Sequence, residues 1–391
     1  MVNEILTSKH VKLQNKQSIL ALIREAGVTS RVEISKKTGL AKCCVSTLVS
    51  ELINEDAIKE IGEGEASDKG GRKPRLLTPV IIREYCVGID FSKESRIIGV
   101  LCNDSGEVLA NEERPQSNDC IIACESMTNM VQILCQSAPG CRIIGVGIGI
   151  TGTVNIRNNV IMESNYFDTK DKEFNKKISK NLNLPVVIEN EANAAALAEK
   201  KNCTSSKNDS LLYISIGKRI KAGLILKNEI YYGDNFVTGE LGHIVVDEQG
   251  ALCDCGVRGC FAAEDSYPAL IKKVRGISRH NVNSIDDIAN LYKSKDAMIG
   301  KIIYTSAVHL GKIIALSYNM LNINQVRVGG ISIFGDEYLD IVKKTLIKYT
   351  NNPRPEDVNI KYATLGDNAV AVGAAAALFT RLQILSVDDH L

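Results

Sequence analysis

A meander of strand, strand, turn and strand occurs twice in this chain, and no other feature limits the fold as tightly. Residues 85–90, 96–101, a turn at 103–106 and 107–109 form the first copy; residues 211–217, 222–226, a turn at 227–228 and 229–232 form the second. Each copy opens with a strand ending at an Asp or a Gly, and strand and helical patterns alternate after Pro79. The expectation is α/β architecture: two lobes of duplicated origin with a ligand cleft between them. A length of 391 residues allows two or three domains. Pattern changes divide them as 1–79, 80–199 and 200–391, with the last helix returning to the middle segment.

Composition removes several classes. With 45% hydrophobic and 24% charged residues, 30 Gly and 8 Pro, the chain is neither disordered nor collagen-like. The longest apolar run, near 369–379, is shorter than the roughly 18 residues of a membrane span. Residues 1–14 carry Glu, Lys, His and Lys where a signal peptide is apolar. A cytoplasmic protein is expected, so its 12 cysteines are thiols rather than bridges. Cys86, Cys102 and Cys135 sit in apolar runs as small buried side chains. A net charge of +1 gives no bulk attraction to nucleic acid, although residues 1–80 carry 13 Lys/Arg against 10 Asp/Glu.

That mild basic bias coincides with a helical motif. Residues 16–25 put Ile19, Leu20, Leu22 and Ile23 on one face, and Gly27 ends the helix. Ser30-Arg31-Val32-Glu33 is a capping box that starts a second helix running to about residue 38, where Gly39 turns the chain. A third helix over 41–55 buries Val45, Leu48, Val49, Leu52 and Ile53. Short helix, glycine turn and longer helix describe a helix-turn-helix, whose last helix enters the major groove by its N-terminal residues. Arg31, Lys42, Cys43, Cys44, Ser46 and Thr47 are thereby assigned to DNA. Residues 57–61 and 75–78 form a wing, and Arg72 and Lys73 in Gly70-Gly71-Arg72-Lys73-Pro74 suit a phosphate ridge or minor groove. Glu60, Glu63 and Glu65 work against a uniformly basic face. A three-helix bundle for protein contacts and a solvated linker are the competing structural readings.

His243, Cys253, Cys255 and Cys260 lie within 18 residues as Gly-His-x9-Cys-x-Cys-Gly-x2-Gly-Cys. One imidazole and three thiolates make a closed tetrahedral set for structural zinc, with no open position for water. Gly256 and Gly259 permit the tight backbone that such a set needs.

Taken together these motifs resemble the ROK family of repressors and sugar kinases, in particular its winged-helix repressor branch and the xylose-repressor-like subgroup. The resemblance covers almost the whole chain. It rests on the helix-turn-helix, Gly70-Gly71-Arg72-Lys73-Pro74, Gly149-Ile150-Thr151-Gly152, Glu189-Asn190-Glu191-Ala192-Asn193, Gly239-Glu240-Leu241-Gly242-His243, the cysteine cluster, Gly329-Gly330 and the late Ala/Gly helix. It implies a winged helix-turn-helix followed by a two-lobed actin/hexokinase-like (ribonuclease H-like) body. It also implies that Gly152, Asn165, Asn190, Glu191, Glu240 and His243 line a sugar site and that zinc fixes the neighbouring loop. One departure concerns that site: relatives carry Glu two residues after the last zinc cysteine, where this chain has Ala262, and Glu264 would face away.

Phosphoryl transfer needs glycine-lined loops against the phosphates and a carboxylate base. Here Asp90-Phe91-Ser92-Lys93-Glu94-Ser95 stands where ROK kinases carry Asp-x-Gly-Gly-Thr-Lys, Arg219 and Lys221 occupy family glycines, and Glu191 replaces Asp. The expectation is therefore no enzyme. A sugar-responsive repressor of carbohydrate-use genes is expected instead, binding operator DNA as a homodimer or tetramer. A sugar kinase and a regulator acting through protein contacts are the alternatives. Lys218, Arg219 and Lys221 suggest an anion site in the vacated nucleotide cleft, against the plainer reading of a solvated hairpin edge.

Overall fold

The computed structural model describes residues 8–55, 57–64, 73–80, 84–117, 119–164, 174–203, 209–277, 281–351 and 354–388. The chain divides into two compact units, Met1–Arg83 and Glu84–Leu391.

In the first unit α1 (Ser8–Ala26) is followed by β1 (Thr29–Ser30), α2 (Arg31–Thr38), α3 (Lys42–Asn54), β2 (Ile58–Glu63) and β3 (Arg75–Pro79). The capping box forms as its sequence demands: the Glu33 N–H donates to Ser30 Oγ at 3.3 Å and the Ser30 N–H to Glu33 Oε2 at 3.1 Å. Gly39 closes α2 in the left-handed conformation, φ 72°. Ile19, Ile23, Ile34, Val45, Leu48, Val49 and Leu52 form the core of this unit with Ile58 and Leu77 of the wing. Strands β2 and β3 pair antiparallel, with β1 added on the far side of β3. Helix α1 begins eight residues earlier than its apolar pattern suggested. Lys12 and Lys16 reach across to Glu51 of α3 and to Glu55 just after it, so its polar first half is held by long-range ion pairs. Replacing Ser30 by Ala should lower the stability of this unit by about 1 kcal/mol, read as a shift in its urea midpoint with unchanged slope.

The second unit contains the duplicated meander. Its first sheet uses β4 (Glu84–Phe91), β5 (Arg96–Asn103) and β6 (Val108–Pro115), then, after α4 (Cys120–Gln136), β7 (Arg142–Ile150). A small hairpin of β8 (Gly152–Asn155) and β9 (Val160–Ser164), α5 (Phe174–Leu182) and β10 (Val186–Asn190) complete it. The order is β10-β7-β4-β5-β6. Helix α6 (Glu191–Lys201) leads to β11 (Leu211–Ile216), β12 (Ile220–Leu226) and β13 (Glu229–Ile230). Four helices follow: α7 (Phe261–Asp265), α8 (Tyr267–Ile277), α9 (Ile285–Lys293) and α10 (Ala297–Leu321). Then come β14 (Gln325–Gly329), α11 (Asp336–Lys348), β15 (Asn359–Tyr362) and α12 (Ala369–Asp388). The second sheet runs β13-β12-β11-β14-β15. In both sheets three antiparallel strands are extended by two parallel ones, so the repeat read from the sequence is a repeat of topology.

Helices α6 and α12 pack on each other, α12 against β4 and β7 and α6 against β11 and β12. Small residues make this possible. A Cβ at Gly88 or Gly147 would lie 1.9 Å from the Ala371 or Ala374 carbonyl oxygen, and one at Gly373 would lie 1.6 Å from Ala194 O. The Ala/Gly run of α12 is thus a seam on which backbones touch.

The longest uninterrupted apolar run lies in α12, but the 25-residue α10, although broken by Lys301 and Lys312, could cross a membrane by length and composition. Most of its apolar window is buried in the body's own core, against α11 and the second sheet. Two buried polar pairs fix it there: His309 Nδ1 lies 2.7 Å from Asp265 Oδ2, and the Ser306 and Tyr338 hydroxyls are 3.1 Å apart.

Candidate effector cleft and metal centre

The parallel strands of the first sheet end at Phe91, Ile150 and Asn190, with Asp90 next to the end of β4, and ligands of open α/β sheets gather beyond such carboxyl ends. Gly152 begins the turn away from β7 at φ 147°, where a Cβ would lie 2.0 Å from Glu163 O, so only glycine fits. Asn190 caps α6: its Oδ1 accepts from the Ala192 and Asn193 N–H groups, while its Nδ2 donates to Gly152 O and Glu191 Oε2, both at 2.8 Å. Through these bonds Asn190 positions Gly152 and Glu191. Burial pushes the Glu191 carboxyl up to about 7, against the pull of the Lys221 ammonium.

Asp90, fully buried, accepts from the Ser92 N–H and hydroxyl on Oδ1 at 2.8 and 2.5 Å; its Oδ2 has no hydrogen-bond partner among the described residues. Burial raises its carboxyl above the usual carboxylate range. The serine at a family glycine position is therefore the group that occupies this carboxylate.

The other wall comes from the second sheet. Gly239, at φ 93°, docks on β12, where a Cβ would meet Ala222 O at 1.9 Å, and this delivers Glu240 and His243. Lys221 donates to Glu240 Oε1 at 3.3 Å, and Glu240 Oε2 lies 3.9 Å from His243 Nε2. Lys221 lies in the cleft, but the sequence reading set it beside Lys218 and Arg219 and missed its pairing with Glu240. Its register partner is Ser215, between buried Ile220 and Ala222, and that strand alternation was the available signal. The three cations imagined as an anion site are not gathered for one: Lys221 serves Glu240, and Lys218 forms an ion pair with Glu94. Asn165 lies outside the described residues.

Beyond His243 the four metal-ligating side chains converge, their donor atoms all within 4.8 Å of one another. His243 Nδ1 is 3.7 Å from Cys253 Sγ, and Cys255 Sγ is 3.6 Å from Cys260 Sγ. Zinc bond lengths of about 2.0–2.1 Å to nitrogen and 2.3 Å to sulfur give tetrahedral edges of about 3.6 and 3.8 Å, so the donor set fits that ion. The Val257 N–H draws the Cys255 thiol down to about 7, and burial pushes Cys260 up to about 12. Gly259, at φ 71°, is obligatory, because a Cβ would sit 1.5 Å from Asp247 O. Glu264 clamps the loop from behind: it accepts from the Ala251 N–H at 2.6 Å and from Lys273 Nζ at 2.5 Å. It is buried in that role and does not replace the glutamate absent at Ala262, whose Cβ faces Gly242.

In the helix-turn-helix unit, Lys42, Cys43, Ser46 and Thr47 are exposed on the first turns of α3. Cys44 is a correction: it packs partly against the core, four residues before buried Leu48 on the same face. Arg31 is also committed elsewhere, to Glu60 Oε1 of the wing at 2.6 Å, and Arg75 holds the other oxygen at 2.6 Å. The two guanidinium groups, Arg75 first, keep the Glu60 carboxyl below the usual range. Lys73 is exposed, and Arg72 lies outside the described residues.

A profile described as ROK family matches residues 86–381. The chain belongs to the ROK family. It is 32% identical over 296 residues to the xylose repressor of Bacillus subtilis, covering 75% of this chain and 76% of that one. The xylose repressor of Caldicellulosiruptor bescii is 29% identical over 389 residues, 95% of this chain and 96% of the relative. Among solved structures, a ROK family transcriptional regulator homologous to the Escherichia coli MLC protein superposes with a TM-score of 0.77 at 25% identity. That match covers 97% of this chain and 99% of the regulator. The mixed α/β body with two sheets is thus the ROK architecture, and the full-length matches include the N-terminal unit.

Proposed function

We propose that this ROK protein is a sugar-responsive transcriptional repressor. The first unit binds operator DNA through α3 and the wing, and the cleft lined by Gly152, Glu191, Glu240 and His243 takes the sugar. It acts in the cytoplasm as a homodimer or tetramer, and zinc on His243, Cys253, Cys255 and Cys260 fixes the loop that carries the effector residues. His243 serves both sites, one ring nitrogen toward the metal and the other toward Glu240.

The observation that carries the reading is the state of the two phosphate loops. Lys218 of the β11–β12 turn is ion-paired to Glu94 of the β4–β5 loop, and Lys93 is paired to Asp367 at 2.5 Å. Charged side chains bridge the two loops where a nucleotide would need bare backbone, while Gly152, Glu240 and His243 remain at the positions that the family resemblance gives to the sugar. This favours a regulator over a kinase. Relatives named xylose repressor favour a pentose as effector.

The test is a gel-shift titration of the zinc-replete chain on DNA flanking its own gene, with and without a panel of neutral sugars. Binding that weakens steeply with salt and is released by one sugar is the expected result. No retardation at low salt would end the repressor reading, and ADP production with ATP and a sugar would restore the kinase. Glu240→Ala should weaken sugar-induced release about 10- to 100-fold, the worth of a charge-assisted hydrogen bond, while affinity for sugar-free operator is unchanged.

A further inference from the structure

Away from the interlobe cleft, a cavity of about 900 Å³ opens among α5, the start of β10 and α12. Its lining combines hydrocarbon from Leu184, Pro185, Leu378 and Leu382 with the cationic side chains of Arg157, Lys176, Lys180 and Arg381. None of its described lining residues is an Asp or a Glu. Arg381 is matched by Glu189, whereas Arg157 and Lys180 form no ion pair with a described residue and leave their side of the wall electropositive. Lys180 is exposed and pairs with no carboxylate among the described residues, and Arg157 lies over the Phe236 ring at 5.6 Å. The backbone wall is already fixed: Asn159 Nδ2 donates to Val186 O at 2.7 Å, and its Oδ1 accepts from the Ile188 N–H at 2.8 Å.

We infer that this cavity binds a small amphiphilic anion, a phosphomonoester or carboxylate with a hydrocarbon or ring body. The charged end meets Arg157 and Lys180, where a planar guanidinium and an ammonium suit oxyanions, and the body covers Leu184, Pro185 and Leu382. Arg381 connects the cavity inward. Its guanidinium donates to Glu189 Oε2 at 3.0 Å; that buried carboxylate also accepts from the Tyr232 hydroxyl at 2.7 Å and, on Oε1, from the Asn190 N–H at 2.9 Å. An anion that competes for Arg381 therefore acts one carboxylate away from the residue holding Gly152 and Glu191. That coupling rests on the effector reading given above; the binding site itself does not.

Calorimetric titration of the full-length, zinc-loaded chain with phenyl phosphate, benzoate and inorganic phosphate tests the inference. One aromatic anion should bind saturably at one per chain, and which of the two binds more tightly identifies the charged group. Affinity should fall at least about tenfold in Lys180→Glu and in Arg157→Gln, the loss of one charge-assisted contact, with zinc content and circular dichroism unchanged. Prior saturation with xylose should leave the site count at one. Absence of saturable binding, equal affinity in both variants, inorganic phosphate binding as tightly as phenyl phosphate, or loss of the site on xylose saturation would each overturn it.

Discussion

Cys260→Ser in the purified protein is expected to release the metal and unfold the loop from Glu240 to Cys260 together with the α7 packing behind it. Structural zinc sites supply about 10–16 kcal/mol of apparent binding energy in small peptides. The fraction expressed here is smaller, because Val246, Gly259 and Glu264 also brace the loop by hydrogen bonds. Even a fifth of that energy would lower the melting temperature of the body by several degrees. Chelation of wild-type protein should reproduce the variant, and zinc should restore the wild type alone. Protons must leave the three thiols on binding, above all Cys260 with its raised pKa, so metal affinity should climb with pH from the acid side. A wild-type melting curve indifferent to chelator would show that the loop stands on its hydrogen bonds.

The second large effect is expected at the buried His309–Asp265 pair. Both side chains are almost inaccessible, and the pair joins α7, which starts directly after Cys260, to the long helix α10. His309→Ala leaves a buried carboxylate without its partner and should cost about 3–5 kcal/mol. Replacing both residues by Leu should recover most of that loss, since two apolar groups leave no orphan. Thermal melts of the zinc-saturated single and double variants check this; equal losses in the two would place the cost in packing rather than in the unpaired charge.

How much of this was legible depended on whether the cause was local. The Ser30–Glu33 capping box and the Cys/His spacing announce themselves within a few residues, and both form as read. The meander was legible because short apolar runs parted by turn residues recur in both copies. Cys44 was misassigned although helical periodicity with Leu48 placed it on the core face. Asn190 also caps α6 and holds Gly152, a role that its motif does not announce. The start of α1, the His309–Asp265 pair and the Arg381–Glu189–Tyr232 network depend on partners 39 to 192 residues away, and no local pattern carries that information.

The contact between α6 and α12 has a mechanical consequence. Where Gly373 meets Ala194 the two backbones touch with no side chain between them, so the distance between the helices, and with it the spacing of the two sheets, is at its minimum. A bulky residue at position 373 would act as a wedge: it would part the helices and carry the sheets that rest on them, and with the sheets the two walls of the cleft.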